Sequence, residues 1–544
     1  MVRRFLATLT QEIRGLHEAA YLLAFFTLLS QILALLRDRT FAHFFGAGPT
    51  LDAYFAAFRI PDTVFAALTL FVSSFALVPL LAGRSAEEQG KVLGPVLLIF
   101  GVVAAAIAAT LFVAAPVLIA ALMPGFAAET EAQALLLTRI MLLQPLLLGL
   151  SSIAASIIQA SRMFMLFALA PIFYNIGIIA GALFLYPTLG VAGLGWGVVI
   201  GAVMHLLVQA VPLFFGSTRL VLGFSNVWLT IRKVVLPSVP RSAALLGNQL
   251  LMLIFAGIAS VVSVGAVSAL SFAFNLQSVP LTVIGVSYAA ALFPALSAMV
   301  QAGDRAGFSR ELWTTVKHVA FWLLPATVLF VVLRAHIVRV ILGSGAFSWD
   351  DTRLTAAVLA LFVLSLLPQA LILLFSRTYY ASQRTAVPVL VNVGAAIVAG
   401  VGAWGLFAVV TNNTTALYFL ESLFRVDGIP GTAVLVVPLA YSTAMLLASL
   451  VFGLLLKNET KPEGVWLSLG TSFVASVIGG LASYTALQYF GPLLPTNTFF
   501  GIFLQGVGAG VVGMVAWGTV LALLRSAELS EVLALLYRKY AKRS

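Results

Sequence analysis

Apolar residues form long runs along nearly the whole chain, and each run ends at Gly, Pro or a small cluster of charge. About 20 such residues cross a bilayer as a helix, and the alternating polarity that a membrane strand needs is absent. Cutting at the breaks predicts fourteen spans: 19–36, 51–82, 92–122, 134–159, 163–186, 191–215, 234–262, 265–299, 315–342, 353–376, 385–410, 430–456, 463–490 and 497–524. Several are longer than the bilayer requires, which implies tilt or ends standing in water. The expected fold is an all-α polytopic membrane protein.

Composition sharpens this picture. With 61% hydrophobic and 9% charged residues over 544 positions, the chain carries more apolar surface than a water-soluble core hides. It has no cysteine, so disulfides, thiolate metal sites and cysteine nucleophiles are excluded. At the N-terminus, Val2, Phe5, Leu6, Leu9, Ile13 and Leu16 share one helical face, predicting an interfacial amphipathic helix over 2–17 in place of a cleaved signal. The C-terminal ELSEVLALLYRKYAKRS reads the same way.

The formal charge is +11, but the basic residues are scattered among short loops and form no stripe. Membrane lipids with anionic headgroups are therefore the expected partner, and nucleic acid is not. With the N-terminus inside, Arg84, Lys91, Arg162, Arg219, Arg232, Arg305, Arg310, Arg377, Arg384, Lys457, Lys461 and the tail cluster all fall on the inner side. Beyond span 2, Arg425 stands as the clear outer exception. The asymmetry places both termini in the cytoplasm.

A repeat runs through the chain. PIFYN at 171–175 returns as PVLVN at 388–392, with Pro171 and Pro388 217 residues apart; Gly48 and Gly265 have the same separation, and Pro79 and Pro294 differ by 215. Six spans between copies preserve orientation, so two parallel six-helix lobes are expected, with a polar interface at mid-membrane. The organisation read from this is an amphipathic segment at 1–18, an N-lobe at 19–216, a C-lobe at 217–456, two extra spans at 457–524 and a basic tail at 525–544.

Charge inside the spans is concentrated in LLRDRTFAHFFGAGPTLDAYFAAFRIP, residues 35–61. An ionised group at the bilayer centre costs about 2.5 to 3.5 kcal/mol, so such groups face a wet cavity, a partner, or both. Arg59 and Asp52 lie seven apart on one helix face, and Pro61 is placed to bend that helix. A guanidinium facing an interlobe cavity suits phosphate, whose oxygens match its planar fork. Plain structural readings stand beside these: Asp52 complements a helix N-terminus, Arg59 and Asp62 form an ordinary helical pair, and Arg37 to Arg39 mark the end of span 1. In the second half, Arg241, Asn248, Gln249, Asn275 and Gln277 are the polar candidates, although amides in spans commonly join helices.

No histidine cluster has metal spacing, no phosphate-binding Gly-rich loop exists, and GVGAG at 506–510 lies within a span, where small residues mean close packing. The loop at 411–429 carries as acids only Glu421 and Asp427. A transporter without cofactor or metal is expected, not an enzyme.

RDRTFAHFFGAGPTLDAYFAAFRIP, VIGVSYAAALFPALS at 283–297, RVILGSGAFSWDDT at 339–352 and RTYYASQRTAVPV at 377–389 together resemble the MurJ/MviN family, lipid II flippases of the MOP exporter superfamily. The resemblance implies fourteen helices, a cationic central cavity, and alternating-access export of a polyprenyl-pyrophosphate-linked peptidoglycan precursor across the bacterial inner membrane. It also implies a groove for the lipid tail formed by spans 13 and 14. Arg37 and Asp38 match the family's RD, Asp52 its outer-side Asp, and Arg59 its basic residue before Ile-Pro. Four positions depart from the pattern: Gln31, Val64, Phe65 and Asn275 are neutral where the family carries basic residues.

The substrate-binding set is therefore Arg37, Asp38, Arg39, Asp52, Arg59, Arg241 and Asn275. The chain is expected to act as a monomer, with cell-wall synthesis proteins as candidate partners. Two alternatives stand: export of another lipid-linked glycan or amphiphile, and a non-transporting cell-wall scaffold.

Overall fold

A computed structural model describes residues 16–72, 74–215, 228, 231–457, 460–462, 464–496 and 498–541. The amphipathic segment expected at 2–17 lies almost wholly outside them. Among the described residues there are helices and no strand. Thirteen helices are long and apolar enough to cross a membrane, and a bent pair supplies the fourteenth span.

Span 1 differs from its expected end. The helix runs Leu16–Phe45, so Arg37, Asp38 and Arg39 lie inside it and do not mark its exit. Charge does not stop a helix whose ions are paired. The stop comes at Gly46, whose φ of 60° is the left-handed conformation that glycine adopts without strain. Span 2 follows as Pro49–Val72, continuing through Pro61.

Span 10 is broken where a single helix was expected: Trp349–Val363 and Leu366–Ala381 meet at a bend of 40°. Pro368 has no N–H to give the carbonyl four residues earlier, and its ring crowds that position. Ser365 covers the break, donating to the Phe362 carbonyl and accepting from Gln369 Nε2 at 2.7 Å. Span 9 is Arg305–Val332, shorter at its far end than expected, because Leu333 separates it from the short helix Arg334–Leu342.

The chain divides into two compact units, 1–268 and 269–544. In the first, spans 5 and 6 (Phe164–Leu189 and Val191–Leu213) close on glycines. A Cβ on Gly181 would sit 2.4 Å from the Gly197 Cα, and one on Gly177 2.3 Å from the Gly201 Cα. In the second, spans 13 and 14 (Val465–Leu493 and Phe499–Leu523) do the same, with Gly479 against the Gly513 carbonyl, while Gly480 meets Val328 of span 9. Gly506, Gly508 and Gly510 likewise lie against His336, Phe490 and Leu333, the close packing expected of GVGAG. After Leu523 the chain forms one more helix, Ala527–Ala541, whose Leu529 and Val532 pack against Phe321, Trp517 and Leu521.

Candidate functional site

The repeat-related turns at Gly48 and Gly265 come together within the first unit. Gly265, at φ 86°, has no room for a side chain, since a Cβ there would stand 2.3 Å from the Ala47 carbonyl oxygen. Asp52, buried in the first turn of span 2, reaches across this junction. Its carboxylate accepts from the Gly265 N–H at 2.5 Å, the Ser268 N–H at 2.8 Å and the Ser268 hydroxyl at 2.6 Å. The acid thus caps the N-terminus of span 8, Ala266–Ala302, as well as standing in the first turn of its own helix.

Arg37 anchors the second polar group. Its Nε and Nη2 donate to Asp38 Oδ1 at 3.0 and 2.8 Å, and its Nη1 donates to Asn175 Oδ1 at 3.3 Å. The Asn175 amide is oriented by its own donation to the Pro171 carbonyl. Three of the five guanidinium N–H groups are occupied in this way, leaving two for a ligand. Asp38 is 2% exposed at its side chain and Arg37 20%, so the acid is sealed in while the base keeps an open face.

That open face lines a cavity of about 300 Å³ between spans 1 and 5. Along span 1 the wall runs from Leu23 and Phe26 through Ser30 and Gln31 to Arg37, positions that recur on one helical face. Phe167 stands at the apolar part of the span 5 wall, and Tyr174 and Asn175 at the polar part. The Tyr174 hydroxyl is buried and has no hydrogen-bond partner among the described residues. Its ring meets the edge of His205, whose Nδ1 is 2.7 Å from the Ser151 hydroxyl.

Asp62, about one turn beyond Arg59 on span 2, accepts from Gln144 Nε2 at 3.3 Å. Gln144 precedes the Pro145 of span 4, where the helix is interrupted at Leu142. Sequence reasoning placed Asp62 as a simple helical partner of Arg59 and passed over Gln144, Tyr174 and Asn175. The PIFYN repeat was the available signal for the last two.

Of the remaining candidates, Arg39 and Asn275 are not in the cavity wall. Arg39 is half-buried, but two residues beyond Arg37 it faces another side of the helix and is not in the cavity wall. Arg241 lies on the helix Leu236–Val262 with its side chain outside the described residues. Asn275 belongs to the second unit, half-buried on Ala266–Pro280. Of the neutral departures, Gln31 lines the cavity and Val64 is packed in the hydrophobic core with Leu68 and Val72.

The second unit has a polar core of another kind. Gln369 Nε2 donates to Gln277 Oε1 at 3.1 Å, and the Tyr441 hydroxyl donates to Gln369 Oε1 at 3.1 Å, all three being buried. No group of His, Cys, Asp or Glu suited to a metal ion occurs among the described residues.

Known proteins resemble this chain in sequence and in fold. The family model described as lipid II flippase MurJ matches residues 41–504. The lipid II flippase MurJ of Burkholderia cenocepacia is 27% identical over 71% of this chain and 77% of its own. A probable lipid II flippase MurJ from Buchnera aphidicola is 29% identical over 66% and 72%. Among solved structures, a lipid II flippase MurJ in an inward closed conformation superposes with a TM-score of 0.74 over 93% of this chain and 99% of that one, at 23% identity. An inward-facing MATE transporter of the MOP superfamily gives 0.63 over 79% and 94%, at 16% identity. The two structures show the fold, and the family model with its coverage shows the kinship: this multi-pass membrane protein belongs to the lipid II flippase MurJ family.

Proposed function

We propose that the chain flips a polyprenyl-pyrophosphate-linked peptidoglycan precursor across the bacterial inner membrane by alternating access, as a monomer and without catalysis. Both termini are cytoplasmic, and the lobes are 19–216 and 217–456, followed by a tail groove within 457–524. The observation that carries this reading is the Arg37 guanidinium in the wall of an amphipathic cavity, held by Asp38 and Asn175 with two donors left for an anion. A desolvated, preoriented guanidinium binds phosphate oxygens bidentately, and the apolar part of the same wall suits a prenyl chain. Asp52, bound to the start of span 8, is a latch that must release when the cavity changes access. Moving charge through the membrane potential is worth about 2.3 kcal/mol per elementary charge per 100 mV, enough to drive such a cycle.

Arg37→Ala should abolish lipid II translocation in cells depleted of their own flippase while protein level in the membrane holds. Normal growth of that strain would sink the reading. Gln31 in the cavity wall and Val64 in the core favour a second reading, export of a less highly charged lipid-linked glycan. Native mass spectrometry with lipid II and other polyprenyl lipids in competition separates the two. Cell-wall synthesis proteins are proposed as partners of the flippase, delivering its cargo and consuming it.

A further inference from the structure

The wall of the cavity between spans 1 and 5 offers more polar groups than Arg37. Thr27, Ser30 and Gln31 of span 1 line it, and their side chains have no hydrogen-bond partner among the described residues. A Ser or Thr hydroxyl within a helix commonly returns to the carbonyl four residues earlier. Further along the same helix Thr40 does so, donating to the Leu36 carbonyl at 2.8 Å. Thr27 and Ser30 do not, and their hydroxyls stay free for the cavity. Polar groups without partners are costly away from water, so a row of them facing a cavity points to an occupant that supplies the missing bonds. Water can hold such places until ligand groups of the same kind displace it.

The chemistry of the row narrows the occupant. Each hydroxyl donates and accepts, and the Gln31 amide does both with separate atoms. Sugar hydroxyls also donate and accept, whereas a phosphate oxyanion only accepts and a prenyl chain does neither. Thr27 and Gln31, four residues apart, stand one above the other along one edge of the wall, and Ser30 lies seven residues before Arg37 on the guanidinium's own face. Phe26 is turned about 100° from Thr27 and marks the other, apolar edge. A phosphate on the spare donors of Arg37 can therefore send its two substituents along two different edges, the prenyl chain along one and the sugar along the other. At about 300 Å³ the cavity is at the small end of ligand sites, with room for one sugar ring beside a phosphate. Gln31 is neutral where the family carries a basic residue, so an anion contact is exchanged here for the directional bonds of an amide.

We propose that Thr27, Ser30 and Gln31 form a sugar-recognition subsite: with the phosphate held on Arg37, the sugar joined to it lies along this edge and its hydroxyls bond the three side chains. This rests on the flippase reading of the same cavity and adds to it the residues that tell a glycosylated carrier lipid from a bare one. A carrier that has given up its glycan keeps its pyrophosphate and competes for Arg37. Only contacts beyond the phosphate can favour the loaded form.

The test is calorimetric titration of two probes into the full chain in lipid nanodiscs: farnesyl pyrophosphate, and farnesyl pyrophosphate esterified to one N-acetylglucosamine. The probes differ in charge, so the quantity compared among proteins is the ratio of the two affinities. Gln31→Leu, and separately the pair Thr27→Val and Ser30→Ala, should weaken the sugar-bearing probe about two- to tenfold for each hydrogen bond lost and leave farnesyl pyrophosphate unchanged. These side chains bond nothing else in the protein, so their loss spares the fold, and the two variants are independent of each other. A ratio that stays at the wild-type value in both overturns the proposal, as does an equal loss of both probes. Arg37→Ala should lose both probes. If it binds them like the wild type, the flippase reading of the cavity falls and this inference with it. If it loses them while Gln31→Leu and the paired variant keep the wild-type ratio, the inference falls alone.

Discussion

The two units solve the same problem, polar groups inside a membrane, with different chemistry. In the first, buried acids accept hydrogen bonds: Asp38 from Arg37, and Asp52 from the backbone at Gly265 and Ser268. In the second, the polar core is a chain of neutral groups, Tyr441 to Gln369 to Gln277 and Ser365. Charge in hydrocarbon is retained where it acts on something, whereas neutral amides join helices for a few tenths of a kcal/mol to about 2 kcal/mol each. Under the proposed function, the charged unit is the half that meets the ligand, and the amide unit is the half that holds its shape.

The largest expected effect of breaking this contrast is at Asp52. Asp52→Ala strips three hydrogen bonds from the start of span 8 and leaves buried N–H groups unmet, at a cost of about 3 kcal/mol. Thermal unfolding in detergent should show it as a clear drop in Tm; a drop no larger than that of a surface substitution means the cap is dispensable. Gln369→Leu comes next. It dissolves the amide chain of the second unit and should cost about 1 kcal/mol of stability while transport persists. Loss of translocation as complete as for Arg37→Ala would erase the division between a ligand half and a scaffold half.

The smallest effect lies outside the spans. Glu528 is the buried acid of the second unit among the described residues, and it accepts from the Ser468 and Ser526 hydroxyls. Burial alone would raise its pKa, but these donors and Lys317 hold it below the ordinary carboxylate value. A depressed folded-state pKa stabilises above the unfolded value and is lost as pH falls through the folded one. The helix Ala527–Ala541 should therefore become protease-sensitive at acid pH before the spans do, and Glu528→Gln should remove that pH dependence. Protection that does not change with pH in the wild type would count against the pairing.

The hydropathy pattern located fourteen spans because lipid imposes one length and one polarity on every crossing helix. It misplaced the end of span 1, since a bonded Arg37–Asp38 pair leaves helix geometry intact and a left-handed glycine, not charge, ends the run. It treated span 10 as one helix, although Pro368 marked the break. Arg37 stood out in the sequence as an ion among leucines. Tyr174, Asn175 and Gln144 did not, because which polar side chain faces which neighbour or cavity is settled by packing between helices. Asp62 was visible as a charge, yet its hydrogen bond from Gln144 of span 4 was not.

The glycine seams of spans 5 and 6 and of spans 13 and 14 bear on how this protein can drift. Where backbone touches backbone, even one added methyl group finds no space, so those faces are closed to variation. Cavity walls have slack, and Gln31 sits in one. Changes of cargo can accumulate through such positions while the helical frame stays as it is.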